Sequence, residues 1–222
     1  MTVRDYQVVY KHNSNIKDEV ERMAFIVMDL FNLPYAKVDA MSKKAFLRKI
    51  NRVTKKFKQT FKKPFYCLLK LESDATKINL AQFIEATYFL KADPIPNLHL
   101  LAATLLKKKN KKHLKESERM LNTNINYIMS DCVNFINSLQ VLLMSYKGLF
   151  EIPDEEQERI IEKPIIKSHP FVETYGWIFS AKQVAEFEGI PLEKAYDLNI
   201  IHALNTLSLL KSKKDYEAYL MK

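Results

Sequence analysis

The sequence predicts a mainly α-helical fold: a helical bundle with a small β-strand pair or hairpin near the N-terminal part and a compact C-terminal three-helix module. Three observations carry this expectation. Apolar residues recur at three- and four-residue spacing over most of the chain. Capping residues and prolines stand at the ends of those runs. Two short runs, YQVVY at 6–10 and PFYCLLKL at 64–71, have the aromatic or β-branched character of strands. At 222 residues the chain is long enough for one core or for a core with an appended unit. The expected division is a mainly helical core domain with minor β over 1–150, an acidic, proline-bearing linker over 151–170 and a helical module over 171–222.

YQVVY reads as an edge strand ended by the turn-rich HNSN at His12 to Asn15. From Asp18 to Phe31, Val20, Met23, Ala24, Val27, Leu30 and Phe31 repeat at helical spacing, with Asp18 and Glu19 at the positive end of the dipole. Leu33-Pro34 breaks that helix. A second begins after Ser42, its seam formed by Phe46, Ile50, Val53 and Phe57. PFYCLLKL is the strand that would pair with YQVVY or fold back on the segment near Ala75 to Ile78. Lys77 to Leu106 reads as a helical hairpin. Asn79 and Gln82 form a capping box, and Leu80, Phe83, Ile84, Thr87 and Tyr88 share a face. Asp93-Pro94-Ile95-Pro96 is the turn, with Pro96 as a first-turn proline ahead of Leu98, Leu101, Ala102 and Leu105.

The run LLKKKNKKHLK at 105–115 is expected as a loop. The longest helix is expected from Asn122 to Tyr146, stopped by Gly148. Glu151 to Lys163 reverses the charge sign between Pro153 and Pro164, and PIIKSHPFVETYG after it reads as irregular or extended. In the last fifty residues, Ser180 is placed as the cap of a helix through Val184, Ala185 and Phe187 to Gly189. A short helix follows over Leu192 to Tyr196. A third runs from Asn199 towards Tyr219, with Ile200, Ala203, Leu204, Leu207 and Leu210 inward.

The chemistry-bearing residues are sparse. Gly148, Gly176 and Gly189 are too few and too scattered for a loop whose amides converge on phosphate. His12, His99, His113, His169 and His202 show no paired metal-ligand spacing, and Cys67 and Cys132 lie in apolar surroundings that suit buried thiols of a reducing compartment. No catalytic residue, metal ligand or cofactor is assigned, and an enzyme is not expected. No apolar run approaches the roughly 20 residues that span a bilayer, and the polar amino terminus with Asp5 does not look like a signal peptide, so neither a membrane partner nor export by that route is expected.

Two surfaces stand out. Lys43, Lys44, Arg48, Lys49, Arg52, Lys55 and Lys56, extended by Lys58, Lys62 and Lys63, form a block with no acidic residue among them, in a chain of net charge +9. Such a block suits an anionic partner, whether nucleic acid phosphate or an acidic protein, and equally a solvated helix face. Ile125, Ile128, Met129, Ile136, Leu139 and Leu143 form a continuous stripe that suits a core or a packing face between subunits or partners. The spacing of Ala185, Gly189-Ile190 and Tyr196 looks like a helix-turn-helix. However, Pro191, Glu193, Lys194 and Asp197 lack the fork that reads base edges, so nucleic acid is the less favoured partner.

GWIFSAKQVAEFEGIPLEKAYDLNIIHALNTLSLLKSKKDYE, at 176–217, resembles the carboxy-terminal portion of small proteins from tailed bacteriophages, particularly those infecting Bacteroidetes. INLAQFIEATYFLKADPIPNLHLLAATLL, at 78–106, is similar to the middle of the same proteins. The resemblance implies a structural role in virion morphogenesis. The protein would be a ring or adaptor subunit of the neck or tail in contact with other phage structural proteins, or a tail assembly chaperone binding the tape-measure protein. It also implies a homo-oligomeric ring, located in the virion or, during assembly, in the host cytoplasm. It brings no catalytic residues.

Overall fold

The computed structural model describes residues 1–57, 69–91, 93–106, 113–150 and 170–221, with backbone alone at 56, 57, 113, 114 and 170–174. The fold is mainly helical. Among the described residues there are twelve α-helices: α1 Val3–Asn15, α2 Glu19–Phe31, α3 Tyr35–Asp39, α4 Lys43–Phe57, α5 Leu80–Lys91, α6 Leu98–Thr104, α7 His113–Leu121, α8 Met129–Ser145, α9 Lys147–Phe150, α10 Pro170–Glu188, α11 Leu192–Ala195 and α12 Ile200–Leu220. Extended pairing among them is limited to three isolated antiparallel bridges, Thr2 with Asn124, Leu71 with Leu106 and Asn79 with Asn199. None of the described helices is long and apolar enough to cross a membrane.

The chain forms two compact units and visits each twice: residues 1–71 with 88–132, and 72–87 with 133–222. This partition differs from the expected succession of 1–150, 151–170 and 171–222. Residues 151–169 of the expected linker lie outside the described residues.

In the first unit the expected strand YQVVY is helix. Thr2 and Asp5 form a reciprocal capping box, the Asp5 amide donating to Thr2 Oγ1 at 3.1 Å and the Thr2 amide to Asp5 Oδ2 at 3.0 Å. The box starts α1, and burial of Val9 against Ile26 of α2 and Val53 of α4 overrides the β preference of the two valines. Residues 64–68, the core of the proposed pairing strand, lie outside the described residues, and no strand pair is seen among those described. A short strap ties the amino terminus to the end of α7: the Val3 amide donates to the Thr123 carbonyl and the Ile125 amide to that of Met1.

Asp18 caps α2 through the Glu21 amide at 2.8 Å, and Asn32 ends it in the left-handed region at φ 49°. Val20, expected on the inner face of α2, is 73% exposed. The turn after α5 places Asn97, not Pro96, next to α6, whose Leu98, Leu101, Ala102 and Leu105 are buried as expected. His113 to Lys115, expected in a loop, belong to α7, and residues 107–112 lie outside the described residues.

In the second unit α10 packs on α11 and α12, and α12 packs on α9 and on a 3₁₀ turn at Ala75–Lys77. Ala181, Val184, Ala195, Ile200, Ala203 and Leu204 are fully buried. Ser180 is not a cap. It lies inside α10, which Pro170 opens at a first-turn position, and its hydroxyl donates to the Gly176 carbonyl at 2.9 Å. Gly189, at φ 65°, closes α10: its amide donates to the Glu186 carbonyl and that of Ile190 to Ala185, the bonds of a Schellman motif. The expected 122–146 helix is a 3₁₀ turn at Ile125–Tyr127 followed by α8, because Asn124 spends its side chain capping the turn through the Asn126 amide. Gly148 does not stop this helix; it sits inside α9.

Candidate interaction surface

The cationic helix α4 presents two unlike faces. Val53 is buried and Phe46 and Ile50 are half-buried, while Lys43, Lys44, Arg48, Arg52 and Lys55 are exposed. None of these five is ion-paired among the described residues. Lys49 differs. Its ammonium lies 3.9 Å from the centroid of the Phe31 ring, so this charge is committed to α2 as a cation–π contact. Arg52 lines a small cavity of about 130 Å³ with Asp5, Phe31 and Val53. The Lys56 side chain lies outside the described residues. The remaining outward cations can hold an anionic surface by charge, and Lys43 borders a recess of about 580 Å³ together with Asp18, Glu21 and Asp39.

The proposed packing stripe along α8 mostly closes on the chain itself. Ile125, Ile128 and Leu139 are buried, and Met129, Ile136 and Leu143 are half-buried. Cys132, Phe135 and Leu142 are buried beside them. Burial, with the Asp131 carboxylate next in sequence, pushes the Cys132 thiol up to about 12. What α8 turns outward is a different set: Val133 (46% exposed), Val141 (69%) and Met144 (56%).

The second unit holds an aromatic cluster and a cleft beside it. Trp177 of α10 meets the fully buried Phe83 edge-on at 5.2 Å, and Phe150 of α9 lies 6.3 Å from Phe83 and 6.4 Å from Trp177. Over this cluster a cleft of about 670 Å³ opens between α9, α10 and α12, walled by Phe150, Trp177, Phe179, Leu207 and Leu210. Lys211, Lys214 and Asp215 line it from α12. Lys211 Nζ donates to the Gly148 carbonyl at 2.6 Å, and the Tyr146 hydroxyl to Asn205 Oδ1 at 2.6 Å, fixing α9 against α12. Beyond Lys211, every residue of α12 and its cap from Ser212 to Met221 is exposed, Lys214 and Asp215 at the rim of the cleft.

Compared with protein-family models, with curated proteins and with solved structures, the chain matches none. Its surfaces therefore speak for themselves. Among the described residues no three His, Cys, Asp or Glu side chains gather as a metal site. The His pairs are local: His12 Nε2 lies 2.8 Å from Asp29 Oδ2, and His202 Nε2 lies 2.9 Å from Glu188 Oε1, which also accepts from the Thr206 hydroxyl. The helix in the recognition position of the helix-turn-helix-like pattern, α11, has four residues, and Glu193, Lys194 and Asp197 around it are exposed.

The cleft was not legible in advance, because its wall residues come from three helices whose mutual placement no periodicity reports. The outer half of α12 carried a readable signal. Leu209, Tyr216 and Leu220 recur at steps of seven and four, beside and past the last inward residue Leu210.

Proposed function

We propose that this chain is a structural or assembly protein of a tailed bacteriophage, a neck or tail subunit of ring or adaptor type that works through protein–protein contacts without catalysis. The observation that supports the reading most is the outward side of α12, where Leu209 (53%), Tyr216 (61%) and Leu220 (63%) are exposed among the described residues, the last two on a stretch, Ser212 to Met221, that holds no buried residue. An isolated helix of about ten residues is marginal in water, so a helical end carrying large apolar side chains outward is the form of a part awaiting a partner. The phage setting comes from the resemblance at 78–106 and 176–217, which suggests other phage structural proteins as partners and the virion as location. Mass spectrometry of purified particles, with antibody labelling in electron micrographs, tests it: peptides of this chain are expected at the neck or tail. Recovery from assembly intermediates alone would favour the tail assembly chaperone, and absence from both would sink the reading.

One observation favours a second reading, binding of nucleic acid: the exposed cations along α4. Phosphate-driven binding weakens steeply with salt because counterions are released, whereas an apolar contact persists. A steep salt dependence of binding to a DNA duplex of arbitrary sequence would move the assignment there.

A further inference from the structure

The cleft of the second unit and the outward stripe on α12 are apolar surfaces of the same helix that cannot meet in one copy. Leu207, in the cleft wall, and Tyr216, in the stripe, are nine residues apart, two and a half turns at 3.6 residues per turn, which puts them on opposite sides of α12. Leu210, Lys211 and Lys214 continue the cleft side, while Leu209, Tyr216 and Leu220 continue the other. We infer that the stripe of one copy seats in the cleft of a second copy, a head-to-tail contact in which Tyr216 and Leu220 cover Phe179, Trp177 and Leu210. The inference deepens the assembly reading by naming the partner of this surface as the chain itself.

Three features point to a second copy. The stripe is flanked by Lys213 and Glu217, which pair with each other at 3.8 Å, and the cleft lining carries Lys214 and Asp215. Crosswise pairing sets Lys213 against Asp215 and Glu217 against Lys214, while Lys211, the third charge of the lining, is turned to the Gly148 carbonyl. The cleft, at about 670 Å³, falls within the roughly 300–1,000 Å³ of pockets that bury a compact group, and its aromatic and aliphatic wall is bordered by Ser180, Gln183 and the charged residues of α12. Tyrosine at an apolar contact supplies area at low entropy cost with its hydroxyl left wet. A contact using different patches on the two partners repeats from copy to copy and closes into a ring when the rotation per step allows. The patch is small for a stable interface, so association is expected to be weak and concentration-dependent.

The test mixes two crippled surfaces in the full chain. One variant carries Tyr216→Asp with Leu220→Asp; the other carries Phe179→Glu, at a cleft residue that is 52% exposed, so that both keep their thermal melt. Masses are read by sedimentation and native mass spectrometry at about 100 μM, where micromolar affinities populate the complex. The unaltered chain is expected in multiples of 26.0 kDa. Each variant alone is expected as a single chain. Their equimolar mixture is expected as a species of two chains and no more, because one intact stripe meets one intact cleft and the pair then presents only the altered surfaces.

A Phe179→Glu variant that still associates would mean that stripes pack on stripes, and overturns the inference. So does a mixture that stays single-chain, which is the result if another part of the same chain or a different protein fills the cleft. An unaltered chain that is monomeric yet found in particles would end the inference and leave the assembly reading standing; association without presence in particles would do the reverse.

Discussion

Asn79 and Asn199 lie opposite each other in an antiparallel bridge, and each side chain caps the helix that follows it. Asn79 Oδ1 accepts from the Gln82 amide at 2.9 Å, while Gln82 Oε1 accepts in return from the Asn79 amide at 3.3 Å. Asn199 Oδ1 accepts from the Ile201 amide at 2.9 Å, and its Nδ2 donates to the Thr76 carbonyl at 2.8 Å. The Leu80 amide to Leu198 and the Ile200 amide to Ile78 complete the join between the starts of α5 and α12. Asn199→Ala removes a cap and a second hydrogen bond and is expected to cost about 1–3 kcal/mol, against about 1 kcal/mol for Asn79→Ala. Asn199→Asp keeps the cap and loses the bond to Thr76, so it should fall between Asn199→Ala and the parent. Urea unfolding of the three variants checks the order; an Asn199→Ala protein as stable as the parent would show that the Asn199 side-chain bonds contribute nothing.

Local rules reached as far as local physics extends. The Asn79–Gln82 box, the start of α2 near Asp18, the end of α10 at Gly189 and the start of α12 at Asn199 are each set by residues within a turn of one another, and each was legible. YQVVY was misread because Val9 finds Ile26 and Val53, residues far along the chain whose packing outweighs a small β preference. Tyr88 was placed on the buried face of α5 by spacing alone, yet it is 74% exposed, the inner line being Leu80, Phe83 and Ala86. The cationic face of α4 was visible as composition. The commitment of Lys49 to Phe31 was not, since the ring belongs to another helix.

That commitment separates Lys49 from its neighbours. Lys49→Gln gives up the cation–π contact and is expected to lower stability by about 0.5–1 kcal/mol. Lys44→Gln and Arg48→Gln, at exposed unpaired positions, are expected to stay within about 0.5 kcal/mol of the parent. Thermal melts of the three single variants decide it. Equal melts would remove the Phe31 contact from the account, and a large loss at Arg48 would mean that the outward face is part of the fold.

Acid should act on the two units at different pH. Burial lowers the His99 pKa below its ordinary 6.5, the Pro96 backbone hydrogen bond opposing in part, and Gln7 Nε2 stands 3.2 Å from the ring Nδ1. A base with a lowered native pKa binds its proton first in the unfolded chain, so the native state loses stability as pH falls below about 6.5. Asp74 works in the lower window. Hydrogen bonds from the Thr76 hydroxyl and amide depress its pKa below the ordinary 3.8, so its contribution is present above that value and lost as pH falls through the depressed one. His99→Gln is therefore expected to flatten the stability profile between about pH 7 and 5 relative to the parent. Thr76→Ala is expected to lower stability above about pH 4 and to approach the parent as pH falls below it. Urea midpoints measured against pH give both, and identical profiles for parent and His99→Gln would refute the first.

Cys132 offers a chemical probe of the same core. A thiol held at about 12 and shut from solvent carries almost no thiolate near neutral pH, so iodoacetamide at about pH 8 should leave it unmodified in the folded protein and label it fully in denaturant. Peptide mapping distinguishes it from Cys67. Rapid native-state labelling at Cys132 would show that the start of α8 opens readily.

The stripe on α8 is the place where core and interface make opposite demands. If Ile128 and Phe135, both at 0% exposure, belong to the core of each copy, truncation leaves a cavity whatever the assembly state. Ile128→Ala should then cost about 2–5 kcal/mol and Phe135→Ala about 3–5 kcal/mol, with no dependence on protein concentration. Val133→Ser and Val141→Ser, on the outward side, remove little buried area and should change the melt by less than about 0.5 kcal/mol. An intersubunit seam predicts the reverse signature, since dissociation contributes to unfolding and the midpoint then rises with concentration. Melting Ile128→Ala over a hundredfold range of dilution thus separates the two: a constant loss assigns the stripe to the core, leaving the outer half of α12 to meet other copies.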